Sequence, residues 1–218
     1  MKRPLTFEDL IKFLHRQNIA VSESQVDKLG AYHALLISWS HRQNLFAAGD
    51  KQYLIERHFV PSFIFVQLVQ KITAQNIIDI GSGAGFPGII LQIMIPEISM
   101  TLIDSSRKKS LFLQEVNEVL NLGTCIKRIR VENLKIENSS MYDVAVARFL
   151  GDLNHLWFWV KQILKPSGVL LIQKGGEQEI AIPEKSGRIR TWHAEPSWID
   201  VSPTLSSKYI IEVENKNE

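Results

Sequence analysis

A single cysteine, Cys125, leaves the chain unable to form an internal disulfide. Disulfides gather in oxidising compartments, so a cytoplasmic protein is expected. No histidine or second cysteine lies near Cys125 in sequence, and it is read as a small buried hydrophobe in a strand rather than a catalytic thiol. Long hydrophobic runs are also missing. No stretch of about 18 uninterrupted apolar residues occurs, and no membrane span is expected. The start, "MKRPLTFEDLIKFL", is basic but turns acidic by residue 8 and has no small-residue cleavage site, so it does not read as a signal peptide. Neither C-x-x-C nor H-E-x-x-H is present, and His41, His58 and His155 do not cluster, so no metal site is expected. Charge of one sign is scarce as well. A net charge of +2 is too mild to indicate nucleic acid by itself. The local clusters "SSRKKS" (105–110) and "KRIR" (127–130) become informative only where they ring a pocket.

What is present suits one packed domain with an appended segment: 218 residues, 45% of them hydrophobic. Residues 1–74 read as a helical N-terminal segment. Leu29, Tyr32, Leu36 and Trp39 form one stripe of an amphipathic helix. Ser22 can cap its start, with Gln25 as capping-box partner. "FEDLIKFL" gives a shorter helix before it, and "VPSFIFVQLVQKI" another after it. From 75 to 218 the pattern changes. Short β-rich runs appear at Ile77–Ile80, Met100–Ile103, Ile126–Val131, Tyr142–Ala147 and Val169–Gln173, separated by helical stretches such as "RKKSLFLQEVNEVLNL". That alternation predicts βαβ units and a parallel sheet. Two last runs, "GRIRTWHA" and "KYIIEVEN", follow each other without a clear helix between them and suit an antiparallel edge.

The first β-run ends in "NIIDIGSGAGFPGIILQIM". Its glycine turn follows a strand and opens a helix, the context of a ligand loop. From Gly83, "GAGFPG" fits the dinucleotide fingerprint G-x-G-x-x-G. From Asp79, "DIGSGAG" fits D-x-G-x-G-x-G, the first motif of class I methyltransferases, which bind S-adenosylmethionine. A pyrophosphate would be repelled by Asp79, whereas the ammonium and sulfonium of S-adenosylmethionine are cationic and favour a carboxylate. S-adenosylmethionine is therefore preferred, with Asp79, Gly81 and Gly83 at the loop. Pro87 suits a helix start. Asp104 closes the second β-run, 19 residues beyond Gly85, where an acid can accept the ribose hydroxyls. Asp104 or a neighbouring serine could also cap the next helix, and both roles can hold at once, but ribose binding is favoured because Asp104 ends an apolar strand on the same edge as the turn.

Together, "DIGSGAGFPGIILQI", "TLIDSSRKKSLFLQEV", "RIRVENL", "YDVAVARFLGDLNHLWFW" and "GVLLIQKGG" resemble the bacterial small-subunit ribosomal RNA guanine-N-7 methyltransferases, the glucose-inhibited division protein B family. "YHALLISWSHRQNLFAAGD" and "ERHFVPSF" are similar to that family's N-terminal segment. The resemblance covers nearly the whole chain. It implies an α/β fold: a doubly wound class I methyltransferase sheet, mostly parallel with an antiparallel edge, behind a helical N-terminal segment. It also implies cofactor contacts at Gly81, Phe86, Val131, Glu132 and Arg148. Arg148 follows the fourth β-run, at the edge where open α/β sheets bind ligands, and is the candidate catalytic residue. The family's Ser-Arg-Ala-Phe around that arginine is replaced here by Ala147-Arg148-Phe149-Leu150. Lys174 occupies the equivalent place after the next run and, with Arg107 and Lys108, is a candidate RNA contact. The implied partner is small-subunit ribosomal RNA, alone or with ribosomal proteins bound, and the implied state is a monomer.

Guanine N-7 carries an in-plane lone pair and needs no general base, so alignment and electrostatics would carry the reaction. Arg148 could position guanine or a flanking phosphate through its planar fork. Two other functions fit the same glycine loop: methyl transfer to a small molecule, and an RNA-associated module that binds the cofactor without turnover. A nucleotide-dependent oxidoreductase is disfavoured by Asp79.

Overall fold

The computed structural model describes residues 3–134, 141–148, 151–175 and 186–216. Thr6 opens helix α1 (Phe7–Arg16) with a capping box closed by Asp9, and Ser22 opens α2 (Glu23–Ser40) with one closed by Gln25, the pairing expected from spacing. The α2 stripe turns inward. Leu29, Tyr32 and Leu36 are fully buried, and Trp39 meets Phe112 edge-on at 5.4 Å between ring centroids. A 3-10 turn (Ala48–Tyr53) and a π turn (Ile55–Phe59) lead into α3 (Val60–Ile72), with Pro61 in its first turn.

Strands and helices then alternate: β1 (Asn76–Ile80), α4 (Gly88–Met94), β2 (Ser99–Ile103), α5 (Arg107–Val119), β3 (Cys125–Lys127), β4 (Tyr142–Arg148), α6 (Leu153–Val160), β5 (Leu164–Gly175), β6 (Ser186–His193), α7 (Pro196–Val201) and β7 (Lys208–Asn215). Among the described residues these make one seven-stranded sheet, ordered β3-β2-β1-β4-β5-β7-β6. β1 through β5 pair in parallel, and β7 alone is reversed, inserted between β5 and β6. This is the expected doubly wound sheet with an antiparallel edge.

Alternate strand residues serve opposite faces. Ile77, Val144 and Leu171 join a cluster with α1–α5, including Leu10, Tyr32, Phe63, Ile90 and Phe112. Ile78, Ala145 and Leu170 join a second cluster with Trp157 and Val160 of α6. Apolar cover on both faces explains why "IIDI" and "VAVA" are nearly continuous hydrophobic runs.

Three expectations differ from the fold. The third strand stops at Lys127, because beyond it the chain leaves the sheet edge and turns through a 3-10 segment, Val131–Asn133. Cys125 is exposed, not buried: it sits on a three-residue edge strand and shares its face with exposed Lys127. A helix, α7, does separate the last two strands. It has only six residues, too few for periodicity to show, and is held by Trp198, whose ring meets Phe13 at 5.0 Å.

Tyr32 is the deepest polar link between α2 and the sheet's loops: its hydroxyl donates to the Ala84 carbonyl at 2.6 Å. Tyr32→Phe removes that buried bond and is expected to lower stability by about 1–3 kcal/mol. Thermal unfolding should show it as a lower melting temperature, and an unchanged midpoint would rule the bond out as a support of the loop.

Candidate functional site

The carboxyl ends of β1, β2, β4 and β5 lie on one edge of the sheet, where open α/β sheets form their ligand crevice. The β1 loop there needs glycine: Gly81, Gly83 and Gly85 have φ of 67°, 59° and 98°. Ser82 ties the loop to both flanking strands. Its N–H donates to the Ile103 carbonyl at 3.0 Å and its hydroxyl to the Asp79 carbonyl at 2.9 Å.

Asp104, at the end of β2, braces the same loop. Its Oδ2 accepts the Gly83 N–H at 2.9 Å and its Oδ1 accepts the Ser106 N–H at 2.8 Å. The cap of α5 is Ser106 rather than Asp104, its hydroxyl accepting the Lys109 N–H. Asp104 is thus left to the loop and the cavity beside it.

Asp79 is 1% exposed. Its Oδ2 accepts the Gly88 N–H at 2.9 Å, while Oδ1 has no hydrogen-bond partner among the described residues. Burial pushes its carboxyl up to about 7, against the pull of the Gly88 N–H and the Arg148 charge. A Cβ at Gly88 would stand 2.5 Å from Asp79 Oδ2 and collide with Leu102. The third glycine of "GAGFPG" therefore serves close packing of α4 on β1 and β2.

Beside the loop lies a cavity of about 400 Å³, and its lining includes Gly81, Asp104, Val131 and Glu132, four of the residues singled out from sequence. Ile103, Ile129 and Leu156 give it apolar walls. Asp104, Glu132 and Asp152 bring three carboxylates to it, against Lys109 and Arg130. An acidic, apolar-walled cavity suits a neutral or cationic ligand with a planar ring better than a pyrophosphate. Asp152, Lys109 and His155 were missed by sequence reasoning. The cap signal of Asp152, which accepts the His155 N–H at 2.8 Å, could have found the first.

Phe86 and Arg148 are gathered elsewhere. Phe86 is 6% exposed and packs against Tyr32, Phe59 and His58, with centroids 5.2–5.3 Å apart. The Arg148 guanidinium lies 5.9 Å from the Phe86 ring. Its Nε donates to Gln173 Oε1 and its Nη2 to the Arg57 carbonyl, both at 3.0 Å. Burial lowers it to about 10, so it stays charged at neutral pH. Lys174 donates to the Gly151 carbonyl, whereas Arg107 and Lys108 are exposed at the start of α5. Phe149 and Leu150, which differ from the family pattern, lie outside the described residues. No helix among the described residues is long and apolar enough to cross a membrane.

Sheet order, glycine turn and the paired acids at the ends of β1 and β2 define a class I methyltransferase. The fold recurs in a tRNA methyltransferase from Aquifex aeolicus, which is 10% identical with a TM-score of 0.57, over 73% of this chain and 69% of that one. The model of the family described as rRNA small subunit methyltransferase G matches residues 25–204, and the chain belongs to that family. Relatives named ribosomal RNA small subunit methyltransferase G include one from Mesoplasma florum, 39% identical over 78% of this chain and 69% of the relative. Another, from Mycoplasma capricolum, is 36% identical over 75% of this chain and 70% of the relative.

The Asp79 carboxyl makes stability depend on pH. The unfolded chain releases this proton near pH 4, the folded protein near 7. Between those values the folded state binds more protons, so stability from this group falls as pH rises and levels off above 7. Asp79→Asn should flatten the ligand-free profile by at most about 1.4 kcal/mol per pH unit. Denaturant titrations from pH 5 to 8 measure it; parallel profiles for parent and variant would refute the assignment.

Proposed function

We propose that the protein transfers the methyl group of S-adenosylmethionine to the N-7 of a guanine in the RNA of the small ribosomal subunit. The acidic, apolar-walled cavity against Gly81 is the observation that carries the cofactor. Residues 75–218 form the cofactor-binding part on this reading, and the helical segment 1–74 supports the substrate side. The family description and its relatives, named for small-subunit rRNA, favour RNA over a small molecule and a transferase over a non-catalytic module.

When bound, S-adenosylmethionine supplies an activated methyl group on a sulfonium. Gly81 lets the ligand approach backbone where a Cβ would intrude. Asp104, with each oxygen already holding one backbone N–H, keeps lone pairs for ribose hydroxyls and is fixed in place by the bonds it makes. Val131 and Glu132 are assigned to the adenine; both line the cavity, as does Leu156. The spare Oδ1 of Asp79 fits the cationic methionine end: a cation placed beside it would favour the carboxylate over the acid. Gly83 presents its N–H to Asp104, and Phe86 steadies the loop from beneath.

No side chain needs to remove a proton from guanine N-7. The work left to this chain is alignment, which can contribute about 7–11 kcal/mol in ideal cases. Arg148 is anchored through Nε and Nη2 and lies off the cofactor cavity, a placement that suits orienting the incoming base or its phosphate. It does not stabilise the methylated base, which is itself a cation. Lys174, Arg107 and Lys108 are assigned to the RNA backbone.

Asp104→Ala removes both the loop brace and the ribose acceptor. S-adenosylmethionine affinity is expected to fall by roughly 1–3 kcal/mol and the melting temperature to fall with it. Calorimetry and thermal unfolding measure the two, and unaltered affinity would move the cofactor elsewhere. The reaction itself is tested by mass mapping of ribosomal RNA from a strain lacking the protein. One 7-methylguanosine should vanish from the small-subunit RNA, and an intact modification map would refute the assignment.

A further inference from the structure

One proline sits where a helix cannot use it. Pro61 is buried in the first turn of α3, directly behind the π turn Ile55–Phe59. The chain is already helical when it arrives. Phe59 and Val60 have φ/ψ of −66°/−61° and −52°/−50°, although the residue before a proline disfavours that conformation. In the π turn the Val60 N–H reaches back to the Ile55 carbonyl. The next donor would come from position 61. It would meet the Glu56 carbonyl if the π register continued and the Arg57 carbonyl if the α register began. Proline has no N–H, and its ring crowds the carbonyl four residues back, which is that of Arg57.

Both carbonyls are taken instead by side chains from distant parts of the chain. The hydroxyl of fully buried Ser202, at the end of α7, donates to the Glu56 carbonyl. Arg148 Nη2 donates to the Arg57 carbonyl at 3.0 Å, a bond that runs from the end of β4 to the helical segment. Gln173 of β5, 1% exposed, accepts Arg148 Nε at 3.0 Å. The guanidinium is therefore held by β5 through one nitrogen and by the π turn through another. Single π turns inside helices gather at functional sites.

We propose that Pro61 is a positioning residue for methyl transfer: by withholding an N–H it keeps the Arg57 carbonyl open to Arg148, and so sets the guanidinium that orients the incoming base or its phosphate. This rests on the role given to Arg148 above. A residue at position 61 that returns the N–H would let the Arg57 carbonyl close into the helix. Arg148 Nη2 would lose that acceptor, and the planar fork would shift.

The test is Pro61→Ala, which supplies the N–H on a good helix former. Methylation of small ribosomal subunits from a strain lacking the protein is measured at saturating S-adenosylmethionine. The kcat should fall about ten- to a hundredfold, as a misplacement of about 1 Å can cause. KM for the subunits and cofactor affinity should stay close to those of the parent. Melting temperature should stay close as well, the regained helix bond offsetting the lost ring contacts. A parental kcat, or one that falls only in step with the melting temperature, would overturn the proposal. A second readout needs no turnover. Arg148→Met removes the competing donor, so Pro61→Ala should stabilise the Arg148→Met protein more than it stabilises the parent in a double-mutant cycle of unfolding. Additive effects would also overturn the proposal. If the cycle is non-additive but the parent methylates no ribosomal RNA, the placement of Arg148 by Pro61 stands and the assigned reaction falls.

Discussion

The bond from the Gly88 N–H to the buried Asp79 carboxylate orders much of what surrounds it. It draws the start of α4 onto the end of β1 so closely that position 88 has no room for a side chain. With both ends of the loop held, residues 81–87 must turn sharply, and Gly81, Gly83 and Gly85 take left-handed φ values. Phe86 is then driven inward among aromatic rings. The acid before the turn is thus a structural tether through one oxygen, while the second is buried with no hydrogen-bond partner among the described residues. A carboxylate dragged out of water is unfavourable alone, and on the proposed reading a cation at that oxygen recovers part of the loss.

The helical segment supports the site from below. Tyr32 of α2 holds the Ala84 carbonyl, and its ring stands 5.3 Å from Phe86 and 5.5 Å from Phe59. A Cβ at Gly85 would meet Ile89 at 2.6 Å and the Tyr32 hydroxyl at 2.9 Å, so the loop's third glycine answers to α2 as well as to its own φ. One apolar cluster runs from Leu10 and Leu36 to Ile77 and Phe112 without a break at residue 74. Loosening α2 would therefore reach the glycine loop directly, through side chains in contact.

Sequence carried the parts of the structure that rest on local pattern. The Ser22 capping box, the α2 stripe, the parallel strands and the glycine turn each depend on spacing within a few residues, and each was legible. Gly81, Asp104, Val131 and Glu132 were placed on one ligand by motif, and the cavity gathers all four in its lining. What escaped depends on contacts between distant residues. Glu132 meets His155 at 4.0 Å across an intervening strand and helix start. The short α7 forms around Trp198 because Phe13, far back in the chain, offers a ring to pack against. Lys208 reaches the ligand edge only because β7 runs backwards, and no pattern within "SSKYIIEVEN" says where its first residue will point. The choice between Asp104 and a serine as helix cap was open on sequence and was decided by Gly83, whose N–H claims the aspartate.

Charge is divided across the sheet edge. Asp104, Glu132 and Asp152 line the cavity beside the glycine loop, whereas Arg57, Arg148 and Lys208 lie outside its lining. For the proposed reaction this division matches reactants of opposite sign, a cationic cofactor and a polyanionic strand. It also bears on product release. The methyl group carries positive charge from the acidic side to the base, leaving a neutral sulfur compound and a cationic guanine. On the proposed reading the Asp79 carboxylate would keep the ammonium but lose the nearby sulfonium, while Arg148 would face a base of its own sign. Both changes weaken the hold on products relative to reactants. On that reading the same electrostatics that align the substrates favour release.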